Sequence, residues 1–459
     1  VYDDVYGGLM KRIPLALLAL ILAMSFAGCG KEETETVKIP KYDPNKKVET
    51  EAITDTTTTA SMDEPAFPAA TPATEWMMFR RTPDNLGLVD ADIKLPLKKG
   101  KDEYRFVSFG SPTSNIIYGS PAIFKNKLYF GCQLGFLSCY KFDTGEPVWK
   151  TAQQLDEGLG AIVTNAMTAN ESMVYFGTAT GNLYAYDQYG DIKMWSFKTG
   201  ANISPPPNTD PKSAINNGLI LGGPKIVNNR IYFGSWDGKV YCLDAKDGKE
   251  IWNFATKSKI YASPAISNNR LYFSNFGGQI FCLNLETGKE IWNVKLPKGT
   301  LSSPVVFGPR LWVGCKDSKL YCINTNDGKV LWSYQAPDND YGIESCPVID
   351  EKNVYGTTAG GATFALDRKT GKKVWSMQTS KTSLLADPLI VRNHMICADQ
   401  EGNVYILDKN TGKELDKFIT SSVSTVGSTD RRIGSSPIII GNEIIFSCYD
   451  SSIYIIKGQ

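Results

Sequence analysis

One histidine, His394, stands in a chain of 459 residues, so a Ser-His-Asp relay or a histidine zinc site has too little to work with. It lies in RNHMICA between two apolar runs and reads as a turn residue. Ten cysteines are present, no two of them adjacent, and no C-x-x-C-H haem site occurs. Cys139, Cys242, Cys282 and Cys322 take a place in a repeating unit that Ala185 and Ala365 take elsewhere, which makes them small core residues. The hairpin register expected there sets Cys322 opposite Val313, not Cys315. Asp338, Asp340, Gly342 and Glu344 spell D-x-D-x-G-x-E, a fragment of a calcium loop. The remaining ligands of such a loop are missing, and a solvated acidic connector explains the same residues, so no metal is expected. Asp143, Asp244, Asp367 and Asp408 recur after the third strand of the unit as turn-forming residues, not as an acid–base pair. Asp430, Arg431 and Arg432 lie in a long link before the last unit. Two guanidinium forks there suit a carboxylate or a protein partner, and a solubilising charge cluster explains them equally. No catalytic constellation emerges.

The elements that carry these residues are copies of one stretch, Gly234 to Trp252, GSWDGKVYCLDAKDGKEIW. Ile231–Gly234 and Val240–Leu243 are apolar runs joined through Asp237–Gly238, a hairpin signal of type I′. A second turn, Asp247–Gly248, leads to Glu250–Trp252, and Pro224–Val227 supplies a strand upstream. Four short antiparallel strands make one propeller blade. The tryptophan recurs at Trp149, Trp195, Trp252, Trp292, Trp332 and Trp375, with Leu415 at the seventh place. A blade-opening proline recurs at Pro121, Pro224, Pro264, Pro304, Pro347, Pro388 and Pro437, with Ala166 standing in once. A period of about 40–45 residues is what propeller arrays show. Both alternating faces of the third strand are apolar, so each blade is packed between two neighbours and the ring closes. The last unit ends without an outer strand, and Tyr104–Phe109 (YRFVSF) supplies it, which gives eight blades and leaves no exposed edge.

The units resemble the PQQ-type propeller repeat, as in FCLNLETGKEIW (281–292) and FALDRKTGKKVW (364–375), across roughly residues 76–459. The opening EWMMFRRTPDNLG resembles the W-x-x-F-R segment that precedes many such propellers. The resemblance implies that the six tryptophans dock on the Gly-Lys backbone of a neighbouring blade. The quinone-cofactor dehydrogenases of this superfamily also carry a vicinal Cys-Cys disulfide, a Glu/Asn/Asp calcium site and a catalytic Asp; the adjacent cysteine pair is missing here, and no cofactor is expected. The chain is also similar to the propeller lipoprotein of the outer-membrane β-barrel assembly machinery, with a lipobox, a polar tether, eight such blades and a short final strand. That resemblance implies contact with a protein partner through interblade loops.

The N-terminal end follows the same logic. Met10 is the expected start, Lys11–Arg12 follows it, and Ile13–Met24 is an apolar core of signal-peptide length. Phe26-Ala27-Gly28-Cys29 reads as a lipobox, with Cys29 carrying the lipid. We expect residues 1–28 to be upstream residues and signal peptide, 29–75 a disordered tether rich in Thr, Glu, Lys and Pro, 76–103 a lead-in packing on the ring, and 104–459 the propeller. A formal charge of +1 gives no case for nucleic acid. Cysteines left reduced in an exported chain point to a host with little oxidative folding. The function expected is a lipid-anchored, non-enzymatic scaffold of the cell envelope, monomeric, presenting a loop-rich face to an envelope protein. A glycan- or small-molecule-binding propeller is the alternative, and a quinone-dependent dehydrogenase stands third.

Overall fold

In the computed structural model the unit that begins at Pro224 folds as four adjacent strands: β10 (Lys225–Val227), β11 (Arg230–Gly234), β12 (Lys239–Asp244) and β13 (Glu250–Ala255). The structure describes residues 62–97, 105–108, 117, 119–132, 135–150, 166–188, 192–200, 218–337, 341–420, 431–433 and 435–458, all within the unit Ser61–Gln459. Among them the chain forms thirty-two strands, β1 to β32, in eight four-stranded sheets, and no helix. On β12, Val240, Tyr241, Cys242 and Leu243 are all buried, because their two faces look onto the preceding and following blades. Cores span neighbouring blades around the circle; Tyr232 and Cys242 share one with Leu271 and Phe281 of the next sheet.

The ring closes at the termini. Strand β1 (Arg105–Ser108) pairs antiparallel with β32 (Ser452–Lys457), setting Phe106 against Tyr454 and Val107 against Ile453. The final sheet is β1-β32-β31-β30, where β30 is Ile438–Ile440 and β31 is Glu443–Cys448. Tyr104 and Phe109 lie outside the described residues.

Four local expectations change. The left-handed pair of a type I′ turn sits one hairpin earlier than expected, at Asn228 (φ 51°) and Asn229 (φ 58°), and again at Asn268–Asn269. At Asp237–Gly238 only the glycine is left-handed (φ 82°); the loop is Trp236–Gly238, with the Gly238 N–H on the Ser235 carbonyl at 3.1 Å. Asp237 instead closes the loop with its carboxylate, which accepts the Lys239 N–H at 2.9 Å and the Tyr241 hydroxyl at 2.5 Å. Cys322 lies opposite Trp312, one residue from the expected Val313. Asp143 is out of step with Asp244: the Gly145 N–H reaches Lys141 where the Gly248 N–H reaches Asp244. In the seventh blade the register pairs Ile406 with Asp416 where Cys242 pairs with Trp252. The tryptophan place therefore belongs to Asp416, and Leu415 is its exposed neighbour.

Candidate interaction face

Antiparallel alternation divides the turns between the two ends of the ring. The first and third hairpin turns of the first seven blades, and the first turn of the eighth, lie at one end; the second turns and the links between blades lie at the other. Two things decide what each end can do: what fills the axis, and which side chains the loops display.

The axis is filled by the chain itself. Residues 73–90 run along the inner strands: the Trp76 backbone bonds to Ile123 in both directions, the Ala169 N–H reaches Met77, and the Ile266 and Val306 N–H groups reach Pro83 and Asp84. Arg80 and Arg81 are both left-handed (φ 57° and 62°), a costly backbone for two bulky residues in succession. The result is that the two side chains part. Arg80, 2% exposed, donates to the Pro388 carbonyl at 2.5 Å, Pro347 at 2.6 Å and Cys346 at 3.1 Å. Arg81 ties the two limbs of the segment together through the Thr71 and Leu88 carbonyls. Asn85 donates to Pro304 at 2.7 Å, and Lys225, fully buried, donates to the carbonyls of Phe79 and of Thr82, the latter at 2.7 Å. The carbonyls of Pro304, Pro347 and Pro388 are thus satisfied by side chains at the hub, as buried polar groups require.

Two groups at the hub titrate abnormally. Burial pulls Lys225 down to about 7, with the Asp84 charge opposing. Burial raises Asp387, against the Arg80 charge and the hydrogen bonds it accepts from the Cys346 N–H at 2.6 Å and the Ser436 hydroxyl at 2.8 Å. Neither Arg80 nor Lys225 was singled out from sequence. One signal existed: Lys225 follows a blade-opening proline where the other units have Ala122, Ala265, Val305, Val348, Leu389 and Ile438.

At the loop-rich end, side chains on three successive blades, the third to the fifth, and on the links between blades form an arc. The Lys259 ammonium lies over the Trp236 ring at 4.4 Å, and Lys316 lies over Phe276 at 5.6 Å and 3.4 Å from Glu344. Each turn is pinned to the adjoining link: the Phe276 N–H donates to Lys259 at 2.7 Å, and Lys316 to Gly299 at 2.9 Å. Phe276 remains 38% exposed and Tyr341 58% exposed. The exposed Phe276 and Tyr341 beside cations and one carboxylate on a rigid frame are the chemistry of protein recognition, with Trp236, 5% exposed, as the buried support under Lys259.

The residues singled out from sequence fall into three groups. The tryptophans lie between blades. A methyl group on Gly248 would come within 2.6 Å of Trp195, one on Gly288 within 2.6 Å of Trp252, and Gly328, Gly371 and Gly412 stand likewise to Trp292, Trp332 and Trp375. The Trp252 indole N–H donates to Leu285 at 3.2 Å and that of Trp292 to Thr325 at 2.8 Å. The matching carbonyl for Trp332, Arg368, is taken by Trp312, which stands where five other blades have tyrosine; the Trp332 Nε1 is left without a partner among the described residues. Trp149 packs against the ring of Tyr129, 6.1 Å between centroids.

Of the charged candidates, Arg432 lies over the Tyr449 ring at 4.8 Å while Arg431 is exposed, its backbone held by the Thr420 hydroxyl at 3.5 Å. Glu344 belongs to the arc with Lys316, and burial raises its carboxyl against that lysine. Among the described residues no group of three or more His, Cys, Asp or Glu is placed to hold a metal. Cys29, Asp338, Asp340 and Asp430 lie outside the described residues. His394 is the first residue of β27 (His394–Ala398), beside a turn, with burial lowering its imidazole. All nine described cysteines are free and buried, and burial lifts Cys282 to about 12, which leaves it an inert thiol.

Comparison with known proteins places this geometry in a family. The profile described as outer membrane protein assembly factor BamB matches residues 202–281 and 277–458. The outer membrane protein assembly factor BamB of Nitrosomonas eutropha is 27% identical over 113 residues, 24% of this chain and 21% of that protein. The chain thus matches about a fifth of the length of that curated relative. The crystal structure of BamB from Moraxella catarrhalis superposes with a TM-score of 0.61 at 16% identity, covering 79% of this chain and 98% of that one. The quinohemoprotein alcohol dehydrogenase of Comamonas testosteroni gives 0.67 at 11% identity, over 84% and 81%. At such identities both structures show a shared fold and nothing about activity.

Proposed function

The chain belongs to the family described as outer membrane protein assembly factor BamB, and from that membership we propose that it is a non-enzymatic scaffold of outer-membrane assembly type. In this reading Cys29 carries the lipid anchor, the chain from there to about residue 61 is the tether, since Glu64, Phe67 and Ala73 are already held against the ring, and the loop-rich end binds an envelope protein. Arg431 and Arg432, on the link before the last blade, are at the same end of the ring as Trp236, Phe276 and Lys316 and belong to the same binding face, with Asp430 beside them in sequence. The tryptophans act as struts between blades and take no part in binding.

The observation that carries this reading is the filled axis. Arg80, Asn85 and Lys225 spend their hydrogen bonds on the protein's own carbonyls. A small-molecule enzyme needs a concave pocket with converging, unspent polar groups; at the hub the ammonium of Lys225, the Asn85 amide N–H and the terminal N–H groups of Arg80 are taken up by carbonyls, and Arg80 Nε and Asn85 Oδ1 stay without a partner among the described residues but are buried. What remains for recognition is surface. Crosslinking in membranes followed by capture of the chain tests this: recovery of a stoichiometric envelope protein supports it, and recovery of the bait alone counts against it.

A second reading has one observation in its favour. Lysines over Trp236 and Phe276 also suit an anionic glycan or small molecule lying across the mouth. Calorimetric titration with anionic oligosaccharides separates the two, since a protein scaffold gives no heat.

A further inference from the structure

Upstream of the plug the chain is held in a different way, at the end of the ring opposite the loop-rich face. The Glu64 carboxylate, 7% exposed, pairs with Arg310 and accepts from Arg368 at 2.9 Å and 2.8 Å, with Lys369 at 3.5 Å. Three residues on, the Phe67 ring meets Phe307 edge to face at 4.8 Å, and the Arg368 guanidinium lies over both rings at 5.3 Å and 5.1 Å. Arg368 is itself 3% exposed and fixed by the Glu351 carbonyl at 2.8 Å. The ring side of this contact is therefore prebuilt: two guanidiniums, one ammonium and an aromatic wall from the fifth and sixth blades.

The occupant is fastened more lightly than the site. Met62, Glu64 and Phe67 are held through side chains, whereas among the described residues the backbone–backbone bonds between this segment and the ring begin at Ala73, whose carbonyl takes the Gly441 N–H. Residues 62–67 can leave without unpicking the hub. The fit also leaves a donor over, because Arg310 Nε is buried with no partner among the described residues. A cleft of 280 Å³ continues beside the segment, lined by Pro65, Arg270, Tyr272 and Pro309.

We propose that Phe307, Arg310, Arg368 and Lys369 form a peptide site for a carboxylate followed three residues later by an aromatic side chain. Glu64 and Phe67 fill it in cis, and an extended segment of a protein partner with the same spacing displaces them. Buried guanidiniums select the carboxylate by paired charge-assisted bonds. The aromatic adds edge-to-face and cation–π contact. This site is separate from the loop-rich face and does not depend on what binds there.

The test uses the full chain with Glu64→Ala and Phe67→Ala together, to vacate the site, and a fluorescent peptide of sequence SMDEPAFPAA. Polarisation should show binding to the vacated chain and at least about tenfold weaker binding to wild type, where the tethered segment competes. Peptides with Gln for the Glu, or Ala for the Phe, should lose about tenfold or more, and adding the exposed Lys369→Glu should weaken binding too. Glu64→Gln, which keeps the shape, replaces the double variant if that variant does not fold. No binding to the vacated chain, or equal binding of the altered peptides, overturns the proposal. So does a wild-type dimer that Glu64→Gln dissolves, which would make a second copy the occupant.

Discussion

Trp252 lies flat on Gly288 of the next blade, so close that a β-carbon on the glycine would come within 2.6 Å of the ring. Gly288 is also left-handed, with φ 67°, so the place rejects any side chain twice over, by strain and by contact. Trp252→Ala should cost about 3 kcal/mol, at the low end for such truncations because the ring is half-buried. Gly288→Ala should cost about 1–3 kcal/mol. Urea unfolding of both variants checks this, and a wild-type midpoint for either would contradict the docking.

The seam of the ring makes a second case. Asp416 occupies the tryptophan place of the seventh blade, and its carboxylate accepts the Leu97 N–H at 2.5 Å. Asp416→Ala strands that buried N–H and should cost about 1–3 kcal/mol. Hydrogen exchange should speed up at Leu97 while the backbone of β12 is unaffected.

Lys225 gives the protein a pH signature. Its folded value of about 7 lies below the ordinary 10.5, so between those values the unfolded chain binds more protons. Its contribution to stability therefore rises from pH 7 toward 10.5 and is lost as the pH falls through 7. Measured at pH 7 and pH 9, wild type should gain on the order of 1–3 kcal/mol relative to Lys225→Met. Parallel pH profiles for the two proteins would refute the assignment.

The exposed arginine behaves oppositely. Arg431→Ala removes no contact that the fold uses, so stability should stay within about 0.5 kcal/mol. Partner recovery after crosslinking should fall. A lowered melting temperature with unchanged recovery would assign Arg431 to the fold.

Thiol titration tests two points at once. The nine described cysteines are free, and Cys29 becomes a thioether if it is acylated. Denatured protein purified from membranes should therefore yield the nine thiols and protein with Cys29 unmodified the full ten. Fewer would mean disulfides.

What could be foreseen follows from where periodicity reaches. The repeat announced the sheets and the pairing of Arg105–Ser108 with the last strand, because each element has copies to compare with; where the tryptophans sit between blades was an implication of the family resemblance. Where a copy lost its marker, the alignment slipped. Without an indole to count from, the sequence pattern points to Leu415 where the register has Asp416. Turn type was misplaced because Asp-Gly and Asn-Asn both favour left-handed backbone, and only the strand register separates them. Residues 73–90 have no copies at all. Their course along the axis depends on Arg80, Asn85 and Lys225 finding carbonyls from distant blades, a relation no local pattern encodes.

The central claim is that the loop-rich end of a ring whose axis is closed by its own chain binds an envelope protein. A photo-crosslinking amino acid placed at Phe276 or Tyr341, and in a control at the exposed Ile251 on an outer strand, tests it in intact membranes. The account predicts one discrete envelope-protein adduct from Phe276 and Tyr341 and none from Ile251. An adduct from Ile251 alone, or no protein adduct from either loop position, would contradict it.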